Sequence, residues 1–328
     1  MKSHPGTVLH VTAADRGCTL AAFLRGRLDA ASWSRVQKLV RGRHVLIHGN
    51  VCTDVARRLK EGEVVKVLEA AAPRLPGAAD VTIVHLDDDV VVVDKPPGVT
   101  TTRHHEERSW PARRRQLQPT LEELVPDAIA RSLAAGRGAR PRRRPAPVRA
   151  VHRIDRETSG LVVFARNVPA SRILAEQFRL HATERRYLAI VVGRVGSGTI
   201  RTQLVRDRGD GRRGSTDEGE GKLAVTHVAP VERFGDAYTL VECRLETGRT
   251  HQIRIHLSET SHPVCGERVY AQLRRGGPQD ESRAPRVMLH AADLGFVHPV
   301  SGKELRFTSP LPADMRMVLA DLRKRFPT

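Results

Sequence analysis

Apolar positions along the chain change their period several times, and each change marks an element. Between Thr19 and Val40 they recur at helical spacing, first Leu20, Phe23, Leu24 and Leu28, then Trp33, Val36, Leu39 and Val40, which predicts two helices. Asp29 to Ser34 interrupts them and offers Ser32 or Ser34 as cap of the second. Short alternating runs come next, Val45-Leu46-Ile47 and Val64-Val65-Lys66-Val67, separated by turns at Gly49-Asn50 and Glu61-Gly62. Pro73 to Asp80, rich in Pro, Gly and Ala, reads as a linker. Val81 to His85 alternates like a strand. Val90 to Val93 is continuously apolar, as in a strand buried on both faces. It closes at Asp94-Lys95-Pro96-Pro97-Gly98, a rigid turn whose prolines donate nothing to a ladder.

Further along, Thr120-Leu121-Glu122-Glu123-Leu124 opens a helix with a capping-box pattern. Leu161 to Phe164 is a buried strand, Ala170 to His181 a helix, and Arg185 to Gly193 a strand ending in a glycine turn. Gly209 to Gly221 is a charged, glycine-rich loop, with strands after it near Ala224 to Val228 and Tyr238 to Leu245. Alternation from Thr247 to Leu257 predicts another strand. It would place His251, Ile253, Ile255 and Leu257 on one face and Gln252, Arg254 and His256 on the other.

Charge changes this picture most. The chain carries a net +18, which calls for a polyanionic partner such as nucleic acid. Twelve arginines against five acids fall between Arg103 and Arg149, most of the arginines in loops around 103–118 and 136–149 that flank the expected helix. Such runs are solvated loops by default, and beside a nucleic-acid site they neutralise phosphates. The four cysteines lie far apart with no CxxC pair, against a zinc finger or a disulfide framework and in keeping with a reducing cytoplasm. No apolar run is long enough to span a membrane, and the first residues lack a signal-peptide core.

One stretch concentrates chemistry: Val151-His152-Arg153-Ile154-Asp155-Arg156-Glu157-Thr158-Ser159-Gly160, just ahead of a buried strand. It sets Asp155 between two arginines, where nearby cations favour the carboxylate. Such an acid can be a nucleophile, a base, a metal ligand or simply half of a structural ion pair. A cationic strand face at Arg254 needs an anion, and Asp155 is the chemical candidate. Two motifs are decoys. Gly209 to Gly214 matches GxGxxG without a strong strand before it or a helix after it. His152 to Asp155 with Asp293-Leu294-Gly295 imitates kinase motifs in the wrong order. His104-His105 with Glu106-Glu107 has no matching cluster of metal ligands, so no metal site is expected.

Taken in order, His152-Arg153-Ile154-Asp155 with Thr158-Ser159-Gly160, Tyr187-Leu188-Ala189, Thr247-Gly248-Arg249-Thr250-His251-Gln252-Ile253-Arg254 and Leu289-His290-Ala291 resemble the RluA-type pseudouridine synthase family. That family's pattern is H-R-L-D-x-x-T-S-G, K-x-Y-x-A, T-G-R-T-H-Q-I-R and L-H-A; Ile154 stands here for Leu and Arg185 for Lys. The resemblance covers residues 81 to 312. Separately, Trp33 to Asn50 and Leu59 to Val65 resemble the RNA-binding module of small-subunit ribosomal protein four, with Arg43, His48 and Glu63 where Gly, Asn and Asp are usual.

The resemblance implies an α+β protein. A small α/β RNA-binding module (15–72) and a linker (73–80) would precede a catalytic domain (81–328) built on a mixed, largely antiparallel sheet. It implies an isomerase that converts uridines of structured RNA to pseudouridine, with ribosomal RNA favoured over transfer RNA. The enzyme would be a cytoplasmic monomer needing no metal or organic cofactor, since the reaction is redox-neutral. Asp155 would attack the ribose or assist glycosidic cleavage. Tyr187 would lie against the base and accept a proton, and Arg254 would pair with Asp155. Arg153 would fill the gap left by the flipped uridine, while Arg249, Arg35, Lys38 and Arg41 would contact RNA. The competing expectation is a non-catalytic RNA-binding or ribosome-assembly protein on the same fold; the trio Asp155, Tyr187 and Arg254 favours the enzyme.

Overall fold

The computed structural model describes residues 7–28, 32–48, 50–72, 74, 76–103, 107, 109, 111, 118–137, 146–208, 212–216, 221–271 and 279–327. The arginine clusters at 113–115 and 140–145 and the His104-His105 pair lie outside them. Contacts divide the chain into two units, Met1–Leu75 and Pro76–Thr328.

The first unit runs β1 (Val8–His10), α1 (Leu20–Arg27), α2 (Trp33–Arg41), β2 (Val45–Ile47), β3 (Asn50–Val51) and β4 (Val64–Val67), with sheet order β1-β4-β2-β3. Thr19 caps α1 by accepting the Ala22 amide, and Ser32 caps α2 by accepting that of Arg35. Leu20, Leu24, Val36, Val40, Val45, Ile47 and Val65 form one core. With Val36 and Val40 turned inward, α2 leaves Arg35, Lys38 and Arg41 in solvent. Arg43 takes φ +68, a left-handed conformation that explains why glycine suits this position. Buried Glu63 receives both Arg57 Nη atoms at 3.1 and 2.8 Å.

The second unit is α+β, built on a mixed and largely antiparallel sheet. Its elements are β5 (Thr82–Leu86), β6 (Val90–Lys95), α3 (Leu121–Arg137), β7 (Arg149–Ala150), β8 (Ser159–Ala165), α4 (Val168–Arg179), β9 (Glu184–Val192), β10 (Gly198–Val205), β11 (Gly214–Thr216), β12 (Lys222–Phe234), β13 (Tyr238–Leu245), α5 (Gln252–Glu259), β14 (Leu289–Val297), β15 (Glu304–Thr308) and α6 (Ala313–Arg325). Strand order is β11-β10-β12-β13-β9-β14-β8-β6-β5, with β15 on β14 and β7 on β8. The β14·β8 pair is parallel; its flanking pairs, β14·β9 and β6·β8, are antiparallel.

Strand alternation explains the continuous apolar runs. Val91, Val93, Val162 and Phe164 face a core shared with Leu121, Val125 and Ile129 of α3 and Met315, Leu319 and Leu322 of α6. Val90, Val92, Leu161 and Val163 point the other way, onto Ala170, Leu174 and Phe178 of α4. Both faces are covered, so neither needs a polar stripe. Gly160 sits at φ +110 where β8 passes β14, and a Cβ there would stand 2.2 Å from the Ala291 carbonyl oxygen. Only glycine fits.

Two expectations need correction. A strand, β10, does precede the Gly209 stretch, and the short strand β11 lies where an uninterrupted loop was expected. More important, Gln252 to Leu257 is not a strand but the first part of helix α5, whose residues 252–258 are all buried. A helix buried on every side has no solvent stripe to give a 3.6-residue period, so its polar residues are set by its neighbours instead. Gln252 and His256, one turn apart, both bond Thr226 of β12 at 3.0 and 2.9 Å. Ile253 and Leu257 enter the main core, and Ile255 packs with Leu204, Ala224 and Tyr270.

Candidate active site

Asp155 is held by its backbone neighbours. Thr101 Oγ1 donates to the Ile154 carbonyl at 2.8 Å and accepts the Ile154 amide at 3.2 Å. The Arg156 carbonyl receives the Gly98 amide at 2.8 Å and Lys95 Nζ at 3.1 Å. The Thr158 amide closes the turn onto the Asp155 carbonyl at 3.1 Å. Lys95 is fully buried, and its Nζ also donates to the Pro96 and Val99 carbonyls, one acceptor for each N–H of an ammonium. Burial pushes it down to about 7, yet three carbonyls suit the charged form better than the neutral amine. Behind the turn, Arg286 donates to the Glu157 carbonyl and Ser159 hydroxyl while pairing with Asp314 at 2.6 and 3.0 Å.

Strand register brings the other side chains to this loop. Across β9, β14 and β8 the residues Tyr187, Ala291 and Gly160 stand in one row. The chain leaving β13 turns at Thr247–His251 into α5. Thr247 Oγ1 and the Arg249 amide both donate to Gln252 Oε1, at 2.8 and 3.0 Å, and His251 takes the left-handed φ of +60. The result is a cleft of about 480 Å³ lined by Arg153, Asp155, Tyr187, Arg249, His251 and Arg254, among others. Five residues singled out in the sequence therefore share one cavity, while Arg35, Lys38 and Arg41 belong to the first unit.

The side chains reaching Asp155 are not those of its sequence neighbours. Arg153 is exposed on the cleft and Arg156 donates to the Gly98 carbonyl. Instead Arg254 Nη1 stands 3.6 Å and His251 Nε2 3.8 Å from the Asp155 carboxylate. Arg254 has a closer partner that sequence reasoning misses: Glu267 takes its Nε and Nη2 at 2.6 and 2.9 Å, and both side chains are buried. Burial opposes both charges, but the paired hydrogen bonds more than offset it, leaving Glu267 below and Arg254 above their ordinary values.

Tyr270, also missed, shares a 2.7 Å hydrogen bond with His251 Nδ1 and lies under the Arg254 guanidinium, 5.3 Å from ring centre to Cζ. Burial holds His251 below its ordinary value, so it is neutral near pH 7. Burial likewise pushes the Tyr187 phenol up; Arg185 opposes this and Asp155 adds to it. His152 is pushed down to about 3 by burial, stacks on Phe178 and accepts the Val163 amide. His290 bonds Ser159 and the Ser309 carbonyl, a satisfied buried histidine.

Glu267, an isolated acid after the apolar Val264-Cys265, is the one sequence signal of a buried counter-ion; nothing marks Tyr270. Asp87, Asp89 and His298 place three potential metal donors together. His298 Nδ1 accepts the Val300 and Ser301 amides, however, which puts the ring proton on Nε2 toward Asp87 and spends the imidazole on hydrogen bonds.

Residues 89–259 match the family model described as RNA pseudouridylate synthase. An uncharacterized RNA pseudouridine synthase of Chloroflexus aurantiacus is 44% identical over 176 residues, 53% of this chain and 54% of that protein. A ribosomal large subunit pseudouridine synthase D of Zymomonas mobilis is 42% identical over 172 residues, 51% and 54%. The chain thus matches about half the length of these relatives. Among solved structures, human RNA pseudouridylate synthase domain containing 4 aligns with a TM-score of 0.56 at 25% identity, covering 74% of this chain and 93% of that one.

Proposed function

The chain belongs to the RNA pseudouridylate synthase family, and on that footing we propose that it isomerises specific uridines of structured RNA to pseudouridine, with Asp155 as the catalytic carboxylate. The reading is supported above all by one observation: Asp155, Tyr187 and Arg254, from three distant segments, line a single cleft. In the reaction the bond from ribose C1′ to uracil N1 breaks, a bond from C1′ to C5 forms, and the C5 proton leaves while N1 gains one. Electrons balance without an oxidant or reductant.

Asp155 attacks C1′ or assists departure of the base, its carboxylate turned by Arg254 and His251. Glu267 fixes Arg254, so the guanidinium orients Asp155 without collapsing onto it. Tyr187 is a protonated phenol in the resting site; it packs against the base and can take the C5 proton only by passing its own onward. With bound RNA covering its open side, the cleft keeps the detached uracil beside the sugar and favours rejoining by proximity. Arg153, exposed at the mouth, occupies the place of the extruded nucleotide, and Arg249 contacts the RNA backbone. The first unit grips RNA through Arg35, Lys38 and Arg41, as the module of ribosomal protein four would. Ribosomal RNA is the favoured substrate, in keeping with relatives named for the large subunit, and the protein acts as a cytoplasmic monomer.

The test is tritium release from ribosomal RNA transcripts carrying 5-labelled uridine. Wild type releases label. Asp155→Asn binds the transcript equally but falls by on the order of 10⁴ in rate, as when a nucleophile is removed. Tight binding by wild type with no release would make the protein a non-catalytic RNA-binding or assembly factor.

A further inference from the structure

Arg185 stands on β9 two residues before Tyr187 and so on the same strand face, lining the cleft. It is only 9% exposed. Unlike Arg254, it forms no ion pair with a carboxylate among the described residues. Its Nη2 reaches the Leu245 and Glu246 carbonyls at 3.5 and 3.4 Å, long for a hydrogen bond, and its buried Nε has no partner. The chain leaves space beside it: a Cβ on Gly248 would stand 2.8 Å from Arg185 Nη1. Its surroundings add cations. Burial, then the charges of Arg185 and Arg249, holds His181 below its ordinary value, so both guanidinium groups are near that ring. All three residues line the same cleft.

A buried guanidinium without a counter-ion is costly, and the cost is offset when a ligand supplies the anion. We propose that the end of the cleft formed by Arg185, His181 and Arg249 is a phosphodiester subsite, in which Arg185 grips a phosphate adjoining the uridine at Asp155. The inference rests on the proposed function for the identity of the ligand. A phosphodiester is permanently charged and presents two oxygens that match the guanidinium fork. A uracil anion would exist only during turnover and could not offset Arg185 in the resting complex.

The test titrates uridine, uridine 5′-monophosphate, uridine 3′-monophosphate and inorganic phosphate into the full-length wild type, Arg185→Gln and Arg185→Lys, with arginine Nε–H signals read by NMR. One monophosphate should bind wild type about tenfold tighter than uridine, a difference of about 1.4 kcal/mol. Inorganic phosphate should shift the Arg185 signal. Arg185→Gln should lose the advantage, Arg185→Lys should keep part of it, and uridine should bind all three alike. Arg185→Gln should also melt at or above the wild-type temperature, since it removes an uncompensated charge; a structural arginine would give the opposite. On RNA its effect should appear in KM.

Equal binding of uridine and both monophosphates by wild type overturns the subsite. So does a fall in kcat alone with phosphate discrimination intact, which would assign Arg185 to the base. Isomerase activity without phosphate discrimination removes the subsite and spares the proposed function. Discrimination in a protein that never isomerises uridine removes the function instead.

Discussion

The Arg254–Glu267 pair puts a second acid behind the arginine that reaches Asp155, and removing that acid's charge should be felt throughout the site. Consider Glu267→Gln. The Gln oxygen can still accept the Val269 and Tyr270 amides, now held by Glu267 Oε1 at 2.8 and 3.2 Å. What disappears is the charge opposite a guanidinium whose side chain is 7% exposed, and one of its two short bonds. Breaking a buried pair in this way costs about 3–5 kcal/mol. Asp155 at 3.6 Å remains as a partial counter-ion, which favours the lower end, about 3 kcal/mol. For a unit of this size that lowers the melting temperature by about 6–12 °C, at about 2–4 °C per kcal/mol. Thermal unfolding monitored by circular dichroism measures it. Adding Arg254→Met to the Gln variant removes the stranded charge and should restore at least half of the loss, with no recovery of activity. If Glu267→Gln melts within a degree of wild type, the pair does not carry the arginine and the reasoning fails.

The remaining expectations concern separate parts of the molecule. Gly160→Ala, with its Cβ driven into the Ala291 carbonyl, should yield insoluble protein or a loss above about 4 kcal/mol in urea unfolding; normal stability would contradict the strand crossing. His256, fully buried between Thr202 and Thr226, is pushed by burial from 6.5 to about 4, so the unfolded chain binds its proton first as pH falls. Its contribution is therefore complete above pH 6.5 and lost between there and about pH 4, about 3 kcal/mol in all. His256→Gln should flatten the acid limb of the stability curve by that amount, and an unchanged limb would refute the assignment. Replacing Arg35, Lys38 and Arg41 together by alanine should weaken RNA binding and reduce the slope of log K against log salt by up to about 2–3, at about 0.7–0.9 per phosphate contact. An unchanged slope would show that α2 does not touch RNA.

Much of this architecture is legible in the sequence because strand and helix periods are local. Val90–Val93 reads as doubly buried since nothing polar interrupts it, and both faces of β6 are indeed covered by helices. Chemistry narrows the cap of α2 to Ser32 or Ser34, and the structure uses Ser32. The failure at α5 has the same cause turned around. Gln252, Arg254 and His256 alternate with apolar residues because different neighbours surround the helix, and a two-residue period results by coincidence. Asp155 is visible as an acid among cations, but its neighbours in space are His251 and Arg254, about a hundred residues away, brought there by the turn from β13, itself paired with β9, into α5. Tyr270 carries no local pattern, Glu267 only its place as an isolated acid after Val264-Cys265, and Arg185 only its place two residues before Tyr187. They become meaningful only when burial shows which charges are paired.

We propose that the Asp155 cleft isomerises uridine. Pseudouridine maps of RNA from cells carrying wild type, a deletion or Asp155→Asn test it most directly. One or more uridines should lose modification in the deletion, regain it with wild type and not regain it with Asp155→Asn, although that variant accumulates and binds RNA normally. A map identical in all three strains, or full modification restored by Asp155→Asn, would contradict the claim.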